Sequence, residues 1–155
     1  MIKILFVCHG NICRSPMAEF VMKHLVNESK VNEIYIESAA TSTEELGNDM
    51  HRGTKEKLRN EGIPFKRRSA RQMTKSDYSS FEYIIAMDSN NIRNISRIIK
   101  TDSDNKVYKL LDFTNRKGSD IADPWYTGNF DATYNDILEG CKGLLKYISE
   151  LNTNT

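Results

Sequence analysis

The run Ile2-Lys3-Ile4-Leu5-Phe6-Val7 is apolar at nearly every position and lacks the alternation of a half-exposed strand. Its length suits a strand buried on both faces, ending at the polar, glycine-containing stretch Cys8–Ser15. Three more short apolar runs predict strands over Ile34–Ala39, Tyr83–Ala86 and Lys106–Leu110. Between the strands the apolar period lengthens to that of a helix. After Pro16, whose missing N–H has no partner to lose in a first helical turn, Met17, Phe20, Val21, Leu25 and Val26 form one apolar face. Ser15 is the N-cap expected for this helix. Gly53–Asn60 reads as a second helix, stopped by Gly62 and Pro64. Ser89–Ile99 is a third, with Ile92, Ile95, Ile98 and Ile99 on one side. The longest, about Phe130–Leu151, carries Tyr134, Ile137, Leu138, Cys141, Leu144, Leu145 and Ile148 at core-facing spacing. Gly140 and Gly143 lower helix propensity there but leave room for close packing, and the tail Asn152–Thr155 is expected to fray.

Strands alternating with helices predict an α/β fold, an open parallel sheet covered on both faces. With 155 residues, 39% of them hydrophobic, the chain is expected to form a single domain spanning 1–155. Twenty-two Lys and Arg against 21 Asp and Glu leave a formal charge of +1, so no basic bias points to nucleic acid. The local run Lys66-Arg67-Arg68 reads as a solvated turn or as a rim that attracts an anionic substrate. The opening apolar run is too short for a signal peptide or a membrane span, and no membrane partner is expected. Three cysteines at 8, 13 and 141 are too few for a secreted disulfide scaffold. A cytoplasmic location follows, with export without a signal peptide left open. The sequence does not fix the oligomeric state.

The order strand, loop, helix puts Cys8-His9-Gly10-Asn11-Ile12-Cys13-Arg14-Ser15 at the C-terminal edge of the sheet, where open α/β folds bind ligands. Gly10 and Asn11 both tolerate left-handed backbone angles, so the turn can direct successive N–H groups inward as an anion nest. The following helix adds its free N–H groups, and Arg14 adds a planar fork matched to two phosphate oxygens. Thiols in such electropositive cradles ionise at a pKa of roughly 4–7. Cys8 is therefore the expected nucleophile toward phosphorus, with the Ser15 hydroxyl as a donor to its sulfur. Cys13 lies across the tight loop, placed either to pair with Cys8 when oxidised or simply to pack. Cys141 reads as core. The three histidines, at 9, 24 and 51, form no metal-binding pattern, and neither metal nor cofactor is expected.

Cleaving a phosphate ester also needs a proton for the leaving oxygen and a base for the water that follows. The longest irregular stretch, Leu111–Asn129, keeps two large aromatics, Trp125 and Tyr126, beside Asp123-Pro124. Asp123 is the candidate acid, the two aromatics forming walls of its pocket; Asp112 and Asp120 are rivals on the same grounds.

The segment Val7–Glu19, together with Asp123-Pro124-Trp125-Tyr126, resembles the low-molecular-weight protein tyrosine phosphatases. Supporting segments are Ser38-Ala39, Ala70-Arg71-Gln72 and Met87–Asn91, so the likeness covers nearly the whole chain. The resemblance implies a three-layer domain with a four-stranded parallel sheet flanked by helices. It implies metal-independent hydrolysis of protein phosphotyrosine and small aryl phosphates through a phosphocysteine. By the same likeness Cys8 is the nucleophile, Arg14 the phosphate-binding arginine and Asp123 the general acid and then base. Ser15 stabilises the thiolate, Asn11 holds the loop, Ser38 supports Asn11, and Cys13 can form a protective disulfide with Cys8. His9, Gly10, Ile12, Trp125 and Tyr126 complete the substrate site. The implied partners are tyrosine-phosphorylated proteins or peptides.

Two departures stand out. An aromatic residue usual after the second strand is absent from Thr41–Met50, where Glu44 or a neighbour takes its place. This thins one wall of the cleft and disfavours acidic peptides. A histidine usual before Ala-Arg-Gln is also absent, replaced in Arg67-Arg68-Ser69, and a weaker polar network behind the loop is expected. Alternative readings are a protein-arginine phosphatase, disfavoured by the apolar Ile12, and an arsenate reductase, disfavoured because residues 14–140 hold no relay cysteine. A non-catalytic phosphate or phosphotyrosine binder would need neither Cys8 nor Asp123.

Overall fold

The computed structural model describes residues 1–31 and 33–153. In chain order its elements are β1 (Ile2–Cys8), α1 (Arg14–Ser29), β2 (Ile34–Ala40), α2 (Arg52–Asn60), α3 (Lys75–Ser80), β3 (Tyr83–Ala86), α4 (Ser89–Ile99) and β4 (Val107–Lys109). A 3-10 turn (Leu110–Phe113), α5 (Pro124–Thr127) and α6 (Phe130–Thr153) follow. The four strands form one parallel sheet in the order β2-β1-β3-β4.

The alternation of side chains along β1 builds two cores, one on each face. Ile4 and Phe6 join Met17, Phe20 and Val21 of α1 and Ile137, Cys141 and Leu144 of α6. Leu5 and Val7 face the other way, onto Ile84, Ala86 and the α4 residues Ile95 and Ile99. All of these are buried, and each fully buried Leu, Ile or Val contributes about 1.5–3 kcal/mol relative to exposure. This is the three-layer arrangement expected. The chain leaves β1 toward β2 on one side and later returns to β3 on the other, so the strand order reverses beside β1. A crevice opens at the carboxyl ends of strands around such a reversal. Cys8 pairs in register with Ala40, and Val7 with Ala86, which brings the loops after β1, β2 and β3 to this edge.

Several elements differ from expectation for local reasons. Helix α1 starts at Arg14 with Cys13 in the N-cap position, so Ser15 lies inside the first turn and does not cap it. Strand β4 stops at Lys109, because the Asp112 carboxylate accepts from the Lys109 N–H at 2.9 Å and tightens the chain into the 3-10 turn. The polar stretch Lys75–Ser80 forms α3, entered through a capping box of Thr74 and Asp77. Helix α6 continues to Thr153; of the tail expected to fray, Asn154 and Thr155 lie outside the described residues. Its close packing is as expected: a Cβ on Gly140 would sit 2.4 Å from Leu110 Cγ, and one on Gly143 would sit 2.2 Å from the Phe113 carbonyl oxygen.

Candidate active site

β1 ends at the buried Cys8, and the chain then turns around Asn11, whose φ of 59° lies in the left-handed region. Of the two residues that tolerate that conformation, Gly10 does not adopt it; the turn has one left-handed residue, and an asparagine supplies it. The carbonyls of the loop have partners outside it. Cys8 O accepts from Thr41 N at 2.9 Å, His9 O from Ser42 N at 3.1 Å, Ile12 O from His51 N at 2.8 Å and Cys13 O from Met17 N at 3.2 Å. A trans peptide carries N–H and C=O on opposite sides. The N–H groups of His9, Gly10, Cys13 and Arg14 therefore point away from those partners. The Asn11 N–H points to Cys8 Sγ at 3.3 Å. Together with the start of α1, this is an anion nest.

Asn11 is buried, and its carboxamide is saturated. Oδ1 accepts from the Arg68 guanidinium and from Arg71 N at 3.3 Å. Nδ2 donates to Ser15 Oγ at 2.7 Å and to Ser38 Oγ at 2.9 Å. These partners fix the directions of the hydroxyls. Ser15 accepts from Asn11, so its own proton is free for Cys8 Sγ, 3.0 Å away. Ser38 accepts from Asn11 and donates to Glu19 Oε1 at 2.6 Å, which Lys23 balances at 2.5 Å. Asn11, Ser15 and Ser38 are thus joined in one hydrogen-bonded group that reaches the Cys8 sulfur. The expected weakening behind the loop does not occur. Arg68, read in the sequence as part of a solvated or substrate-facing basic run, is half-buried and occupies that place. It is held by Asn48 O on its guanidinium and by Asp49 Oδ1 on its N–H at 3.2 Å.

Arg14 is buried in the first turn of α1. Its Nη1 donates to Asp88 Oδ2 at 2.7 Å and to Ile121 O at 2.8 Å, and its Nη2 lies 3.4 Å from Asp123 Oδ2. Burial alone favours the neutral form, but Cys8, Asp88 and Asp123 outweigh it and hold the guanidinium charged. Asp88 went unrecognised in the sequence because Asp-Ser-Asn-Asn reads as a helix start. It is that too, its Oδ1 capping Asn91 N at 2.8 Å while Oδ2 holds Arg14.

Asp123 caps α5, its Oδ1 accepting from Trp125 N at 3.0 Å. It lines the same cleft as Cys8. Its rivals do not: Asp112 is tied to Lys109 N and Gly118 N, and Asp120 to Lys109 Nζ and Ser89 N. The cleft, of about 200 Å³, is also lined by His9, Gly10, Ile12, Cys13, Arg14, Trp125 and Tyr126. Trp125 and Tyr126 are 60% and 84% exposed and stand as free walls of the mouth, not as buried turn residues. Glu44 and Glu45 also line the cleft, in the stretch that lacks the usual aromatic residue, with His9 Nε2 3.0 Å from Glu44 Oε2.

Cys13 is a free, buried thiol; burial, with Cys8 and Asp123 nearby, pushes its pKa up to about 12. Burial also pushes the Cys141 thiol up, and this residue packs in the core as expected, against Ala18 O. Among the described residues, no group of three or more His, Cys, Asp or Glu side chains is placed to hold a metal ion. No helix among them is long and apolar enough to cross a membrane.

A thiol at the end of a buried strand, in a nest of N–H groups with one guanidinium and one carboxylate beside it, defines a cysteine-dependent phosphomonoester hydrolase. A profile of the low molecular weight phosphotyrosine protein phosphatases matches residues 3–154, and the chain belongs to that family. It is similar to PtpA of Staphylococcus aureus, a low molecular weight protein-tyrosine-phosphatase, at 38% identity over 148 residues, covering 96% of this chain and 94% of that protein. The structure of YfkJ from Bacillus subtilis superposes with a TM-score of 0.92 at 41% identity, covering 97% of this chain and 96% of that one. SP-PTP, a low molecular weight protein tyrosine phosphatase from Streptococcus pyogenes, gives a TM-score of 0.82 at 42% identity over 95% of this chain and 93% of that one. The chain is thus a phosphatase that hydrolyses phosphotyrosine and aryl phosphates through a cysteine-bound phosphate, without a metal ion.

Proposed function

We propose that Cys8 Sγ is the attacking atom, Arg14 the phosphate clamp and Asp123 the proton donor and then acceptor. The observation that carries this reading is their convergence. Arg14 is 3.4 Å from Asp123, both line one cleft with Cys8, and the Cys8 sulfur receives the Ser15 hydroxyl at 3.0 Å. In the first step the sulfur lone pair forms an S–P bond as the P–O bond to the aryl group breaks. The protonated Asp123 gives its proton to the departing oxygen. In the second step the Asp123 carboxylate takes a proton from water as the water oxygen bonds to phosphorus. The S–P bond breaks, and Ser15 and the Asn11 N–H receive the restored thiolate. The N–H groups of the loop face the non-bridging phosphate oxygens, and Arg14, oriented by Asp88 and Ile121 O, supplies the fixed positive charge.

The substrates are tyrosine-phosphorylated proteins or peptides. Trp125, Tyr126 and Ile12 support an aromatic ester, the first two by flanking the ring and Ile12 by offering an apolar contact. Cys13 is the partner for Cys8 under oxidation: a hydroperoxide converts Cys8 to a sulfenic acid, which condenses with the Cys13 thiol and releases water. Three free thiols and a near-neutral charge support a reducing, cytoplasmic setting and no nucleic-acid partner. The catalytic domain occupies 1–155.

The test is hydrolysis of phosphotyrosine and phosphoarginine peptides, side by side and without added metal. The Cys8→Ser variant is expected to lose more than about a thousandfold in kcat, with its fold and phosphate binding retained. Turnover by Cys8→Ser at a tenth of the wild-type rate would overturn the mechanism. Faster turnover of phosphoarginine would overturn the substrate class.

A further inference from the structure

The residue that joins the two halves of the site is His51, which neither attacks nor contacts phosphate. Its backbone N–H donates to Ile12 O in the phosphate loop at 2.8 Å. Its ring caps α2, with Nδ1 accepting from Gly53 N at 3.0 Å. That bond requires the unprotonated nitrogen at Nδ1 and fixes the ring plane. The same ring stacks on Phe130 at the start of α6, with centroids 5.4 Å apart and an interplanar angle of 19°. It meets Trp125 edge-on at 5.8 Å and 80°. Gly53 is what permits the stack: a Cβ there would lie 2.4 Å from the Phe130 ring.

Trp125 is otherwise weakly held, being 60% exposed, yet its N–H orients the Asp123 carboxylate. The segment before Asp123 is fixed independently. Ile121 N donates to Met87 O at 2.9 Å, Ile121 O receives Arg14, and Thr133 Oγ1 donates to Ala122 O at 3.0 Å. The segment after it ends in Gly128, in a left-handed conformation, and Asn129. The His51 ring therefore acts as the side support on the C-terminal flank of the acid, and its backbone ties that support to the loop that holds the phosphate.

We infer that His51 is a positioning residue for proton transfer: it registers the Asp123 segment against the phosphate loop through its contact with Trp125. This rests on Asp123 being the general acid, and the experiment separates the two claims. A misplaced acid affects poor leaving groups most, because good ones depart without a proton. His51→Asn keeps a good N-cap and removes the ring, whereas His51→Phe keeps a ring and removes the acceptor.

Rates are measured on a series of aryl phosphates of rising leaving-group pKa, together with inhibition by inorganic phosphate. For His51→Asn, kcat/KM, which covers only the steps up to release of the phenol, is expected to fall roughly tenfold on phenyl phosphate, with less than about a twofold change in kcat/KM on a dinitrophenyl ester or in phosphate inhibition. His51→Phe is expected to keep the wild-type leaving-group dependence. An unchanged dependence in His51→Asn overturns the inference, as does an equal loss on all substrates together with loss of phosphate binding. If His51→Asn does not fold, His51→Phe decides: a steepened dependence with the ring in place overturns the inference. Asp123→Asn in the same series is the control. A flat response there removes Asp123 as the acid; a steep one with a wild-type His51→Asn removes only His51.

Discussion

Asn11 shows how much a single residue settles in this site. Its left-handed backbone makes the turn, its N–H meets the Cys8 sulfur, and its carboxamide makes four hydrogen bonds to Arg68, Arg71, Ser15 and Ser38. A side chain that can only donate must sit at Oδ1 for the amide to present Nδ2 to the two hydroxyls. Arg68 does this without changing charge with pH, where a histidine titrates near neutrality. Replacing Arg68 by Met leaves Oδ1 with the Arg71 N–H alone. The expected result is a loss of about 1–3 kcal/mol in urea unfolding and a fall in kcat of roughly tenfold. Arg68→Lys, which keeps a donor, is expected to recover part of both. Equal activity in the Met variant would show that the loop holds its shape without Arg68.

At the scale of elements, the packing of α6 on the 3-10 turn depends on two glycines. Position 143 is the stricter one, because the atom in the way is the Phe113 carbonyl oxygen at 2.2 Å, a backbone group that cannot rotate aside. Gly143→Ala is expected to lower stability by about 1–3 kcal/mol, the usual cost of overpacking, despite the better helix propensity of alanine. The turn lies away from the catalytic cleft, so KM should not change; a stabilised variant would contradict the packing described. Other elements follow from contacts outside their own pattern. Helices α3 and α5 are too short and polar for an apolar period to reveal, and their caps, Thr74 with Asp77 and Asp123 with Pro124, define them. Ser15 reads as a cap, yet its hydroxyl is drawn inward by Asn11 and Cys8.

Across the whole molecule, near-neutral charge conceals a local asymmetry at the cleft. Glu44 and Glu45 line the cleft together with Trp125 and Tyr126, while Arg14 is already flanked by Asp88 and Asp123. A phosphotyrosine peptide with basic flanks should therefore be preferred over one with acidic flanks, and salt should narrow the gap because both glutamates are at the surface. The double substitution Glu44→Gln, Glu45→Gln is expected to raise kcat/KM on the acidic peptide several-fold. No change in the ratio between the two peptides would place the flanks beyond reach of these glutamates.

The chemistry itself was determined by the sequence alone, because its signals are local: a buried apolar run, a polar turn with Asn11, then Arg14 and Ser15 opening a helix. Within eight residues the backbone geometry of strand, nest and helix start leaves Cys8 few other roles, whereas Asp123 had Asp112 and Asp120 as rivals by its residues alone, and of the three only Asp123 lines the cleft with Cys8. The supports of that loop were decided by the tertiary structure. Asp88 reaches Arg14 from 74 residues away, and Arg68 reaches Asn11 from 57. His51 meets Trp125 and Phe130 only because α2 and α6 pack at the same sheet edge. Such partners carry no mark in their own neighbourhood: an Asp before Ser-Asn-Asn, an Arg in a basic run and a His at a helix start all have ordinary local readings. Only the strand order, which brings the ends of β1, β2 and β3 together, gives each of them its particular partner.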